Sequence, residues 1–348
     1  MERRIIQFAV LVMVVAIATC PGLSQAYLTL ENHLRQDLGL SQDQISSIRN
    51  GQPFAKALES RTPAEIFVFG VIYINADPES YLKYAYDFNR LGSIPGYLAI
   101  KQFSNPFQLS DLEGFSLDSQ DIQSLKSCNP GNCAVQLPGS TITDIRKSVN
   151  WSAPNVDDQV NQYLQKTALS RMQLYQQEGD KMYDAVYNDK KQQVEVADQF
   201  KYILSYAKAL PQNVPRLYNY IVNYPQSDSD NINNMFYWES VKFGLKPTLR
   251  IVQVVTAQGN SPQEPAYTIA EKQLYSSHYF ETALELTYCI SGGDDPKQPG
   301  FFLVQVMGSE QAGLTGFKGS IVRSHAVGHS VKDMQTALVA SKKALEHR

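Results

Sequence analysis

The chain has 348 residues, 43% of them apolar, and a formal charge of -3. Such a length suits one large globular domain or two small ones. The mild acidity leaves no electrostatic footprint for nucleic acid or an anionic membrane surface, so neither is expected as a partner.

The first 26 residues read as a secretory signal. Arg3 and Arg4 form a basic start, Ile5 to Ala18 an apolar core, and Ser24-Gln25-Ala26 a small-residue cleavage site. The apolar run is shorter than the roughly 20 residues a spanning helix needs, and no later stretch is long and apolar enough to span. Cleavage near Ala26 gives a secreted or periplasmic chain starting at Tyr27. Because Glu2, Arg3 and Arg4 leave with the signal, the charge falls from -3 to -4. Cys20 sits where a lipoprotein would be lipidated, but Thr19 and Pro21 flank it and favour simple secretion.

Residues 27–60 read as helical. Ser41 and Gln44 have capping-box spacing, Ile45 and Ile48 share a face, and Gly51 ends the run. Residues 65–104 read as strand, helix, strand: the apolar run EIFVFGVIYIN, the segment ADPESYLKYAYDFNRL with Asp77 as cap and Pro78 first in the helix, then IPGYLAIKQFS. Residues 105–153 look loop-rich, with short helical turns and a small hairpin near AVQLPGSTITDI. Cys128 and Cys133 bracket Asn-Pro-Gly-Asn, a type II turn sequence that brings its flanks together, so a disulfide is expected between them. Cys289, inside an apolar run, reads as a buried free thiol. Asp111, Glu113, Asp118 and Asp121 lack the spacing of a calcium loop and read as caps and solvated surface.

Residues 154–244 read as a large helical insertion. Its fourth helix carries Met235, Trp238, Glu239 and Lys242 at helical spacing. From 245 onward four apolar runs follow: LKPTLRIVQVVTAQ, AYTIAEKQLYSSHYFETALELTYCI, GFFLVQVMGS and GSIVRSHAVG. Polar, turn-rich breaks separate them, as in an antiparallel meander. A closing helix is expected to begin at Ser330, whose spacing to Asp333 suits a capping box. Val331, Met334, Leu338 and Leu345 supply its buried stripe. The expected fold is therefore α+β: a curved antiparallel sheet with a long C-terminal helix against its concave face and a cavity between them.

No residue constellation identifies a reaction, so no catalytic residue, metal or cofactor is assigned. His325 and His329 are four apart, but with the helix starting at Ser330 that spacing has no helical meaning. In EKQLYSSHYFE, strand alternation puts Glu271, Gln273, Tyr275, Ser277, Tyr279 and Glu281 on one polar-aromatic face. Ser276 and Ser277 adjoin His278 without a nucleophile elbow. The order of elements, a strand followed by ADPESYLKYAYDF, late antiparallel strands and a long closing helix, resembles the helix-grip fold of START-type lipid-transfer and polyketide cyclase-like (SRPBCC) proteins. The KQLYSSHYFETALEL segment is also similar to segments of uncharacterised secreted bacterial proteins. The resemblance covers Glu65 to Gln102 and Leu245 to Arg348. The leading expectation is an exported carrier of an apolar or amphipathic small molecule. Glu271, Tyr275, His278 and Tyr279 are its candidate ligand-binding residues, with Met334 and Leu338 closing the pocket. Two alternatives are an enzyme using His278 or Glu271 as acid or base, and an envelope structural protein without ligand.

Overall fold

A computed structural model describes residues 30–184, 196–206, 214–226, 230–242, 246–261, 264–291, 300–311 and 313–347. The expected signal segment, with Cys20, and the break at 292–299 lie outside them. The chain divides into two compact units, Met1–Ile45 and Ser46–Arg348. The described part of the first holds a short helical segment over residues 30–37, stapled by Arg35 to Glu31 at 2.9 Å. Helix α1 (Gln42–Arg49) opens with the expected capping box: the Ser41 N–H donates to Gln44 at 2.9 Å and the Gln44 N–H to Ser41 Oγ at 3.3 Å.

The second unit is built on one eight-stranded antiparallel sheet in the order β1-β2-β8-β7-β6-β5-β4-β3. The α+β class, the antiparallel sheet and the long closing helix are all present. β2 (Glu65–Ile74) is buried at all ten positions and lies between β1 (Phe54–Leu58) and β8 (Phe301–Gln311). Phe54–Leu58 falls in the stretch expected to be helical. Pro53 bars a helix from continuing through it, and antiparallel pairing with β2 fixes it as a strand.

After β2 come two helices rather than one. Asp77 caps α2 (Pro78–Ala85), accepting from the Glu79 N–H at 2.7 Å, and Asp87 caps α3 (Phe88–Gly92) at Arg90. β3 (Tyr97–Gln102) runs along the opposite edge of the sheet from β1. Next are α4 (Ser119–Leu125), the Cys128–Cys133 disulfide and α5 (Gly139–Ser148). The expected hairpin at TITDI is thus a helix, because Ile142 and Ile145 both reach the core on one helical face. Helices α6 (Val156–Glu178), α7 (Val196–Tyr206) and α8 (Pro215–Asn223) follow.

The insertion ends earlier than expected. Ile232–Lys242 is β4, paired to β5 (Pro247–Gln258) at eleven positions. Both faces of β4 are covered, so its apolar residues satisfy three- and two-residue periods alike, and only pairing decides between them. The long run 266–290 is a hairpin, β6 (Tyr267–Ser276) and β7 (Phe280–Ser291), turning through Ser277, His278 and Tyr279. The fourth apolar run is no strand. α9 spans Gly316–Glu346 and absorbs GSIVRSHAVG, so Ser330 lies inside the helix rather than at its cap. With β2 already on the outer side of β8, the sheet has no place there for another strand.

The sheet carries helices on both faces. α9 and α2 lie against Ile66, Val68, Ile72, Leu303 and Phe301, joined by Met334 and Leu338. α6, α7 and α8 cover the other face, over Phe67, Leu249 and Leu274, and the 111–115 segment covers Trp238. α9 sits so close to β2 that a Cβ at Gly70 would lie 2.5 Å from Met334 Cγ and 3.1 Å from Leu338 Cδ1. No described helix is long and apolar enough to cross a membrane. Gly70→Ala is expected to destabilise by about 1–3 kcal/mol through overpacking. Because Met334→Ala removes the atoms it collides with, urea unfolding of both single variants and the double variant should show the two costs to be less than additive.

Candidate functional site

Strand alternation brings charged residues from four strands to the α9 face. Arg250 on β5 donates from Nη1 to Glu239 on β4 at 2.8 Å and from Nε to Gln273 on β6 at 3.1 Å. Glu271, two residues along β6, accepts from the hydroxyls of Tyr86 at 2.8 Å and Tyr237 at 3.3 Å. Its cross-strand partner on β7 is Glu285, which accepts from Gln305 Nε2 at 2.8 Å; Gln305 in turn reaches the Tyr81 hydroxyl at 3.3 Å. Tyr97 feels the charges of Glu239, Glu271 and Arg250. Phe88 packs on Tyr237, and Arg250 lies 5.8 Å from the Phe280 ring centre.

This cluster holds three carboxylates against one guanidinium. Glu271, Glu285, Arg250, Tyr86 and Tyr97 keep partial exposure, whereas Glu239 and Gln273 are buried. Burial, and then the charge of Glu271, push the Glu285 carboxyl up to about 8. Burial also raises Glu239, opposed by Arg250. Tyr86 and Tyr237 are pushed well above the ordinary phenol range by burial and by Glu271. Chemically the site offers an uncharged carboxylic acid at neutral pH beside a hydrogen-bonded carboxylate, and it disfavours further negative charge.

The other sequence candidates lie elsewhere. Tyr275 is on the helix-covered α6 side, lining an apolar cavity of about 50 Å³ with Phe115, Leu164, Met172 and Ile251. That is a third of the ~150 Å³ apolar cavity that admits a benzene ring. Met334 and Leu338 are buried in the packing over Gly70, so the expected gap between sheet and closing helix is filled there.

His278 and Tyr279 form the β6–β7 turn. The run therefore breaks the expected alternation: Ser277 and Tyr279 belong to no strand face, and Tyr279 takes φ 62°. His278 Nε2 lies 2.6 Å from Asp121 and Nδ1 3.1 Å from the Ala134 carbonyl. Lys246 Nζ donates to Asp121 at 2.5 Å, and the Lys246 N–H to the Tyr279 hydroxyl at 2.9 Å. Burial raises Asp121, but hydrogen bonds from His278 and Lys246 outweigh it and leave the carboxyl lowered. These contacts tie α4 and its neighbouring loop to the turn. The other early acids have the expected duties: Asp118 caps α4, and Asp111 accepts from Ser104 and Gln108.

His325 and His329 fall within α9, so their spacing does place them on one helical face, both exposed. Among the described residues no group of three or more His, Cys, Asp or Glu could hold a metal ion. A further buried charge, Lys272, is on the α6 face, bonded to Asp180 with its ammonium 4.5 Å from the Phe200 ring centre. Burial lowers its pKa and Asp180 opposes that.

Sequence reading missed Glu239, Arg250, Glu285, Tyr86 and Tyr237. A signal was present: Arg250 and Glu285 each place a charge within a largely buried strand, at positions whose i+2 neighbours, Val252 and Thr287, are buried. No protein-family model matches the chain, and a search of curated proteins finds no match.

Two outcomes follow from these environments. A carboxyl raised from an ordinary value of 4.5 to about 8 binds a proton in the folded state that the unfolded chain releases. Its contribution is therefore intact below about pH 4.5 and is lost as pH rises toward 8. Glu285→Gln should be more stable than the parent at pH 8, with little difference at pH 4.5, in thermal melts across that range. His278→Ala leaves the Asp121 carboxylate buried with one partner fewer, and should cost about 3 kcal/mol in urea unfolding at pH 7.

Proposed function

We propose that this chain is an exported binding protein for a small amphipathic molecule, held with its polar head against the carboxylate and tyrosine cluster on the α9 face. The observation that carries the reading is the cluster itself. Glu239, Glu271 and Glu285 face one guanidinium, Arg250, and several of these groups keep partial exposure on a face otherwise built from aliphatic and aromatic side chains. Ligand sites are mostly apolar with a few convergent polar groups of perturbed pKa, and this combination matches that description. The polar end of the ligand is a hydrogen-bond donor, because Glu239 and Glu271 offer acceptors and an anion would be repelled.

The order of elements supports the helix-grip resemblance: β2, two helices, β3, a meander from β4 to β8, and a closing helix. The resemblance places a ligand between sheet and closing helix. With Met334 and Leu338 packed on Gly70, the reading moves the ligand along the same face toward β5, β6 and β7. Export rests on the basic and apolar N-terminus, and the Cys128–Cys133 disulfide suits an oxidising compartment.

A second reading has its own support. Glu285, raised to about 8 beside Glu271, has the properties of a general acid working at neutral pH, so an acid–base enzyme would use this pair rather than His278.

Native mass spectrometry of the protein purified from its own host tests the binding reading, with extraction of whatever is bound. A stoichiometric amphipathic adduct is expected, and its occupancy should drop about tenfold in Glu271→Gln. If the adduct is chemically altered by the parent but unchanged by Glu285→Gln, the enzyme reading replaces the carrier. An empty mass, with no amphiphile retained by either form, leaves an envelope structural protein as the better account.

A further inference from the structure

A cleft of about 770 Å³ opens at the β3–β4 edge of the sheet, beside α8 and the end of α6. It plays no part in the reading above. Its volume lies within the ~300–1,000 Å³ of small-molecule sites and far exceeds the needs of an ion.

Three features define what the cleft can hold. Its base is aromatic: Phe107 packs 5.2 Å from Phe103 and 5.2 Å from Phe236, and half-buried Tyr224 stacks one face on Tyr175 at 5.2 Å. Its walls carry the neutral amides of Gln102, Asn105, Gln176 and Asn234. The side chains of Asn105 and Gln176 have no hydrogen-bond partner among the described residues, and Asn105 is exposed. The third feature is charge. Among the lining residues only Asp111 is an acidic or basic residue, and its carboxylate is already engaged by Ser104 Oγ and the Gln108 N–H at 2.8 Å each.

Those features exclude several ligand classes. An anion or cation would leave water for a cleft with no free counter-charge. A plain acyl chain would cover the amides without replacing their bonds to water, at a cost for each. An amide both donates and accepts, which is what a hydroxyl requires of a partner. Aromatic rings complement the C–H faces of a pyranose.

We propose that this edge cleft is a second ligand site and that it takes a neutral saccharide. The site is independent of the α9-face cluster, since it shares no residue with it. Asn105 and Gln176 supply bidentate hydrogen bonds to ring hydroxyls, and Tyr224 packs against the sugar face.

The test uses the full mature chain and four probes: cellobiose, maltose, N,N′-diacetylchitobiose and triglycine, each at about 10 mM, the range in which millimolar affinity is detected. Saturation-transfer NMR and calorimetry should show at least one disaccharide bound and triglycine not. The Asn105→Ala/Gln176→Ala variant should weaken that binding at least tenfold. Both positions lie on the rim, and an unchanged melting temperature confirms its fold. Tyr224→Ala should weaken it as well, whereas Glu271→Gln should leave it intact. The inference is overturned if no disaccharide binds, or if binding survives the double variant. It is equally overturned if Glu271→Gln abolishes binding, which would place the sugar on the α9 face, or if triglycine competes, which would make β3 a peptide-pairing edge.

Discussion

Ten consecutive pairs between β2 and β8 join an early strand to the last strand of the meander, and most of the architecture follows from that seam. Without it, β4 to β8 would form a five-stranded meander ending in an open, apolar edge. With it, β2 shields β8, β1 shields β2, and α9 has a surface of Ile66, Val68 and Ile72 on which to lie. Closing a loop across most of the chain costs conformational entropy that local contacts cannot offset, so the seam must be strongly apolar on both strands. It is: every residue of β2 is buried, and Phe301 to Val304 of β8 are too.

The seam also explains where polar groups are tolerated. Near β2 and β8 the α9 face is closed by direct packing of Met334 and Leu338 over a glycine, and no charged group enters that contact. Farther along the sheet, toward β4 and β5, α9 gives way to α2 and α3, whose tyrosines and phenylalanines bring hydroxyls as well as rings. Carboxylates can persist there because each has a donor within reach. Glu239 has Arg250, Glu271 has two tyrosines, and Glu285 has Gln305 and holds its own proton. The acid–tyrosine cluster occupies the part of the face that the closing helix does not seal.

On the opposite face the inserted helices do structural work of a different kind. Lys272 is buried with Asp180 between rings of Tyr175 and Phe200, and His278 with Asp121 and Lys246. Each unit links a strand or strand turn to an element far away in sequence. Buried pairs of this type contribute less to net stability than to fixing which surfaces meet, because the desolvation of two charges nearly offsets their attraction. Their value here is positional: they hold α4 and the end of α6 against the β6–β7 hairpin.

What the amino-acid sequence determined by itself was local. The capping box at Ser41, the Asp77–Pro78 helix start, the apolar run of β2, the Cys128–Cys133 bridge and the three strand runs after residue 245 are each written in neighbouring residues, and each is present in the fold. Tertiary structure decided what neighbours cannot specify. Phe54–Leu58 and Ile232–Lys242 are strands because partner strands bond them, and residues 319–328 are helix because the sheet has no open position beside β8. The site followed the same division. Glu271 stood out in the sequence as a charge on a strand, yet its partners Tyr86, Tyr237 and Glu285 are 185, 34 and 14 residues away. Strand register sets which of them share a face, and register is a property of pairing, not of any one segment.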